Sequence, residues 1–151
     1  MLSKVFFILI FYVATTLQYT PFTACKSGST PFELRLEGCT ESPCILFSGK
    51  DVEAECDFAV VADTKDLKPV VLIRLFDESI NYPLPEQDAC TSLINNNCPL
   101  DEGESVTYAL KMPIPDLSMQ LDLRFQFSLV DSKNNTHVCF EFDAKINDGK
   151  F

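Results

Sequence analysis

Val52-Glu53-Ala54-Glu55-Cys56-Asp57-Phe58-Ala59-Val60 alternates without a break. Val52, Ala54, Cys56, Phe58 and Val60 share one face of an extended chain, and Glu53, Glu55, Asp57 and Ala59 share the other. Successive side chains of a strand point to opposite sides, so this stretch is a strand with one buried and one wet face. Cys56 falls on the buried face, where a thiol behaves as a small apolar residue. Its acidic neighbours disfavour a reactive thiolate.

The same period recurs on both sides. Phe32, Leu34 and Leu36 alternate with Glu33, Arg35 and Glu37, and Val106, Tyr108, Leu110 and Met112 alternate with Thr107, Ala109 and Lys111. Leu121 to Leu129 and Val138 to Ile146 repeat it. Val70 to Phe76 is nearly continuous apolar chain, so alternation does not reveal its facing. Turns fall at Ser48-Gly49-Lys50-Asp51, at Asp101-Glu102-Gly103-Glu104 and at Asp131 to Thr136. The acidic turn at 101–104 supplies too few oxygens for calcium. No helical period runs through the chain, and about seven short strands between turns predict an all-β antiparallel sandwich.

Asn81-Tyr82-Pro83-Leu84-Pro85-Glu86-Gln87-Asp88-Ala89-Cys90 interrupts the strands. Pro83 and Pro85 remove two backbone donors, so this segment lies at a sheet edge or outside it. Residues 1–16 read as a secretory signal peptide, with the end between 16 and 20: Lys4, then the apolar run Val5 to Val13, then Ala14, Thr15 and Thr16. The remainder, 20–151, reads as one domain, and the chain is expected to be secreted, with an endosomal or lysosomal lumen as the other destination. In such compartments cysteines pair. Short spacings suggest clips at Cys39 and Cys44 and at Cys90 and Cys98, with Cys25 and Cys139 near the two ends and Cys56 left over. Count alone leaves the connectivity open. Asn134-Asn135-Thr136 is an N-glycosylation sequon at a hairpin tip.

The formal charge of −10 excludes a nucleic-acid footprint. Catalysis finds little to use. His137 is the only histidine, expected at the surface at a hairpin end, and there is no zinc-ligand cluster, phosphate loop or nucleophile elbow. Glu53, Glu55 and Asp57 sit on the wet face and are expected to titrate normally. No enzyme activity, metal or cofactor is predicted.

Together the pieces resemble the ML lipid-recognition family, and within it the Niemann-Pick type C2 branch with its arthropod relatives and the group 2 mite allergens. The carrying features are Cys25 with Ser27-Gly28, Gly38-Cys39, Pro43-Cys44, Leu46 with Gly49, Tyr82 to Cys90, Cys98-Pro99-Leu100, Pro113, and Asp131 followed by Cys139. The resemblance implies an immunoglobulin-like sandwich with a hydrophobic tunnel between its sheets. It implies the disulfides Cys25–Cys139, Cys39–Cys44 and Cys90–Cys98, and lipid binding without catalysis. It places Tyr82 and Ile114 at the tunnel gate and Val52, Ala54, Cys56 and Phe58 on the inner wall. Where the family pattern has a second aromatic gate this chain has Ser118, flanked by Leu117 and Met119.

The expected ligand is a sterol, fatty acid or small semiochemical, and Ser118 in place of an aromatic gate predicts that a flexible chain is accepted at least as well as a sterol. A membrane receptor or transporter is the expected acceptor, and the carrier is expected to be a monomer. The alternatives are an innate-immune module for microbial lipids and a structural protein with a closed core. Lys65, Lys68 and Arg74 lie in one region, but no basic cluster adjoins the proline segment, which favours the carrier.

Overall fold

The computed structural model describes residues 18–148. The segment read as a signal peptide lies outside the described residues. Ten strands follow in order within them: β1 (Thr23–Ala24), β2 (Glu33–Leu36), β3 (Cys44–Phe47), β4 (Asp51–Ala59), β5 (Lys68–Leu75), β6 (Glu78–Tyr82), β7 (Leu93–Ile94), β8 (Ser105–Pro113), β9 (Leu121–Val130) and β10 (Thr136–Asn147). A short 3-10 turn, Ala89–Ser92, is capped by the Asp88 carboxylate and precedes β7.

The strands form two sheets. One runs β1-β10-β9-β5-β6, with β3 also on β10; the other runs β2-β4-β8-β7. The outer edge of β10 is shared: β1 pairs with Phe140 and Glu141, and β3 pairs farther along with Ala144 to Asn147. β3 was not legible as a strand, and its pairing with β10 is parallel, unlike the antiparallel ladders elsewhere. Four residues with no alternating polar partner give too short a period to read.

β4 and β8 pair along their whole length, from Asp51 opposite Pro113 to Ala59 opposite Ser105. Their inner faces are the predicted ones: Val52, Ala54, Cys56 and Phe58 face inward with Val106, Tyr108, Leu110 and Met112. The other sheet answers with Phe125, Phe127, Leu129, Phe140 and Phe142. Tyr108 and Phe127 stack across the core with ring centroids 5.6 Å apart. β5 resolves its ambiguous facing through β9: Val71 opposite Phe127 and Ile73 opposite Phe125 point inward, while Arg74 points out to Glu141 and Gln126.

The disulfides are Cys25–Cys139, Cys39–Cys44 and Cys90–Cys98, and Cys56 is free and buried. Gly28 passes so close to the first that a Cβ there would stand 3.2 Å from the Cys139 Cβ and 2.9 Å from the Thr136 methyl, and its φ of 98° is a backbone that side chains avoid.

Three expectations are corrected. Phe32 is 63% exposed because β2 begins one residue later and Pro31 takes the inner position. Asp57 does not titrate normally: hydrogen bonds from the Arg35 guanidinium, at 2.6 and 3.0 Å, hold its carboxyl below the usual range. His137 is not a surface residue but wholly buried. Its Nε2 lies 3.0 Å from Asp131 Oδ2, and its Nδ1 accepts the Val61 N–H at 3.2 Å. The turn from Asp131 folds back over the ring, and both ring nitrogens find partners inside.

Candidate functional site

The end of the sandwich where β6 finishes and β8 finishes is built from two segments facing one another. The upper one is the β5–β6 hairpin. Tyr82 pairs with Val71 and Ile80 with Ile73, and cross-strand partners share a face, so Tyr82 and Ile80 lie on the inner side of their sheet. β6 ends at Tyr82 because Pro83 offers no donor to the ladder. Phe76 tips the hairpin with φ of 56° and is almost wholly exposed.

The lower segment is the chain from Pro113 to Gln120, held from beneath by the β3–β4 turn. The Ile114 N–H donates to the Lys50 carbonyl at 2.9 Å, and the Gly49 N–H is shared between the carbonyls of Ile114 at 3.1 Å and Pro115 at 3.3 Å. Ser48 is buried and central here. Its Oγ accepts the Leu117 N–H, and its own proton has the Pro115 and Leu117 carbonyls and Asp116 Oδ1 within 3.2 to 3.3 Å.

One hydrogen bond joins the two segments: the Tyr82 phenol donates to the Pro113 carbonyl. Burial pushes the phenol above its ordinary pKa, so it stays a donor throughout the physiological range. Ile114 is buried directly behind this contact, Leu117 is half-buried against the core, and Ser118 and Met119 are exposed beyond it.

Of the proposed wall residues, Val52 lies nearest this end, opposite Met112. Ala54, Cys56 and Phe58 follow inward along β4, and Phe58 is about 20 Å farther on at 3.3–3.4 Å per residue. All four are buried. Burial pushes the Cys56 thiol up to about 12, with the Asp57 charge adding to it. The structure thus brings Tyr82 onto the segment that carries Ile114 and Leu117, leaves Ser118 exposed beyond it, and sets Val52, Ala54, Cys56 and Phe58 in one buried row along β4.

The inner face is incompletely covered at this end. Ile73, Tyr82, Leu117, Leu121 and Leu123 all point toward the core yet are only half-buried, and Ile80 is 51% exposed. Elsewhere a groove of about 700 Å³ runs along the outer face of the four-stranded sheet, lined by Arg35, Glu53, Glu55 and Lys111 among others, and it shares only Ala54 with the proposed set. Charged walls suit no apolar ligand, so the groove is not the site.

Sequence reasoning noted Ser48, Pro113 and Glu86 in the turn, the strand end and the proline segment but gave none of them a place in the site. Glu86 accepts hydrogen bonds from Tyr108 Oη at 2.7 Å, Thr91 Oγ1 at 2.8 Å and Ser92 Oγ, which ties the proline segment to β8 and to the 3-10 turn. The alternation of β8 marked Tyr108 as buried, and a buried phenol needs a partner; that was the available signal. Nothing local marked Ser48, whose partners lie 67 to 69 residues away. Among the described residues no group of three or more acidic, cysteine or histidine side chains is placed to hold a metal.

Comparison with known proteins gives a consistent result. A family model described as the ML domain matches residues 19–146. A curated relative named NPC intracellular cholesterol transporter 2 homolog a, from Drosophila melanogaster, is 29% identical over 128 residues, covering 83% of this chain and 86% of its own. The mite group 2 allergen Lep d 2 of Lepidoglyphus destructor is 28% identical, covering 64% of this chain and 66% of its own. The crystal structure of a Niemann-Pick type C2 protein from the Japanese carpenter ant superposes with a TM-score of 0.74 at 19% identity, over 84% of this chain and 99% of that one, and so shares the fold.

Proposed function

The chain belongs to the ML domain family, and from that premise we propose that it binds a small hydrophobic ligand without chemistry, admitting it between the sheets at the Tyr82–Ile114 end. Several relatives bear the name of cholesterol transporters, and lipid binding and transport is the general property carried over. The observation that carries the reading is the apolar inner face left half-covered: Ile73, Tyr82, Leu117, Leu121 and Leu123 pack against the core yet stay only half-buried. An apolar ligand entering there completes a core the two sheets leave unfinished.

The energetics suffice. Each buried methylene contributes about 0.8 kcal/mol, so a dozen supply roughly 10 kcal/mol gross, from which the cost of immobilisation is subtracted. The sheets part by side-chain movement at the entrance, and the wall row Val52, Ala54, Cys56 and Phe58 lines the path inward. The proposed role is a secreted, monomeric carrier that delivers its cargo to a membrane receptor or transporter, with a single domain over 20–151. Asn134, exposed at its turn, is the proposed glycan acceptor.

Mass spectrometry of an organic extract from natively purified protein tests this, with a Tyr82→Ala, Ile114→Asp double variant alongside and circular dichroism to verify that the variant is folded. A lipid carried by the native protein and absent from the folded variant is expected. If the native protein carries none and takes up neither added sterol nor added oleate, the reading fails.

A further inference from the structure

Building on the entry site just proposed, we infer that the Tyr82 phenol and the Pro113 carbonyl form a latch, and that opening it selects a lipid ending in a neutral hydroxyl over one ending in a carboxylate. Among the described residues the latch is the one hydrogen bond that links the upper segment to the lower across the entrance. Its lower half is anchored: Ile114 and Pro115 are hydrogen-bonded to Lys50 and Gly49, and Leu117 is hydrogen-bonded to the buried Ser48 hydroxyl. Its upper half is the end of an edge strand, free on its outer side. Tyr82 is therefore the part that moves.

A ligand that parts the sheets here breaks the latch and leaves one donor, the phenol, and one acceptor, the carbonyl. Leaving either unsatisfied in a part-buried site is costly. The interior offers the ligand's head no alternative. Cys56 is a neutral thiol, and the Tyr108 hydroxyl is committed to Glu86. The described buried side-chain nitrogens and oxygens all have partners. The tail goes inward and the head stays at the latch. An alcohol donates one hydrogen bond and accepts another, so a single hydroxyl satisfies both freed groups. A carboxylate accepts only, and leaves the Pro113 carbonyl unpaired.

Charge acts in the same direction. Residues 76–82 and 113–120 contain Asp77, Glu78 and Asp116 and no lysine or arginine. At the supporting turn Lys111 Nζ lies 3.3 Å from Asp51 and 3.9 Å from Glu53, and with Lys50 these four groups cancel in formal charge. Asp77 and Glu78 lie at the far end of β6 from Tyr82, so Asp116, three residues past the latch carbonyl, is the carboxylate an anionic head meets there and an alcohol does not. Ser118 bears on the width of the entrance and hence on the tail; the latch bears on the head.

Oleyl alcohol and oleate, which share a chain and differ in the head, are the probes, with equilibrium binding and dissociation rates measured at pH 7.5. Wild-type protein is expected to hold oleyl alcohol about tenfold tighter than oleate, the equivalent of one well-made hydrogen bond and a relieved repulsion. Tyr82→Phe keeps the ring and removes the latch; it is expected to speed dissociation of both lipids several-fold and to shrink the preference. Asp116→Asn is expected to strengthen oleate binding and leave oleyl alcohol unchanged. Equal wild-type affinities, or a preference and dissociation rates that Tyr82→Phe does not alter, overturn the latch while leaving the carrier reading intact. Binding of neither lipid by wild-type protein overturns both.

Discussion

Tyr82 and Pro113 end strands in different sheets, and the hydroxyl of the first reaches the carbonyl of the second. The ladders stabilise each sheet internally, and the core joins them by apolar contact; here a directional bond joins them at a rim. A half-buried hydrogen bond of this kind contributes about 1 kcal/mol. Urea unfolding of Tyr82→Phe is expected to show a loss of that size with an unchanged m-value. No measurable loss would mean that the ring, which the substitution keeps, and not the hydroxyl, holds the entrance.

Ser48→Ala is expected to cost more than Tyr82→Phe. The alanine leaves the Leu117 N–H without its partner in a part-buried place, and an unsatisfied group there costs about 1 to 3 kcal/mol. The damage is local, since the serine touches only residues 115–117 by side chain. Limited proteolysis should therefore find new cleavage between Pro115 and Gln120 in the variant. An unchanged digest would place the stability of that segment elsewhere.

These two contacts mark where sequence reasoning stopped. The inner faces of β4, β8, β9 and β10 were legible because alternation is a local signal repeated over nine or more residues, and burial selects for it residue by residue. β3 and β7 carry too few residues to show a period. His137 misled for a related reason: its burial depends on a turn closing over it and on Val61, 76 residues earlier. Tyr82 was singled out as an aromatic ring, yet its hydroxyl found its purpose in a carbonyl 31 residues away, and a carbonyl has no sequence signature.

Acid should weaken the same hairpin turn. Burial pushes the Asp131 carboxyl upward, but hydrogen bonds from Asn135, from His137 and from the Asn135 and Lys133 N–H groups outweigh it and leave the carboxyl well below the ordinary range. A carboxyl depressed in the folded state adds stability fully present above the unfolded pKa of about 4, and that stability is lost as pH falls below it. Asp131→Asn is accordingly expected to be about 2 kcal/mol less stable than wild type at pH 7, with the gap narrowing as pH drops below about 4. A gap that stays constant between pH 7 and pH 2.5 would show that the ionised form contributes nothing.

The disulfides should differ in what they contribute. Cys25–Cys139 spans 114 residues of sequence and Cys39–Cys44 spans 5. Loop-closure entropy predicts about 5 kcal/mol for the first and about 2 for the second. Paired serine replacements, compared by thermal unfolding, should rank in that order. The reverse ranking would point to native packing around Gly38 and Cys39, and not to the unfolded chain, as the source of the short bridge's contribution.

Cys56 gives the sharpest view of whether the sandwich opens without ligand. Its thiol is buried on the inner face of β4 and its pKa is pushed up to about 12, so at pH 8 very little thiolate exists and no reagent can reach it in the closed state. A maleimide or disulfide reagent should leave the native protein unlabelled for hours and label it fully in denaturant. Labelling of the native protein would then report parting of the sheets. Because the latch resists that parting, Tyr82→Phe should label faster than wild type by more than its loss of global stability accounts for, and a bound lipid should suppress labelling in both. Rates that differ between the two proteins only as their global stabilities do would mean that Cys56 becomes accessible only when the whole fold is lost and that the entrance does not open on its own.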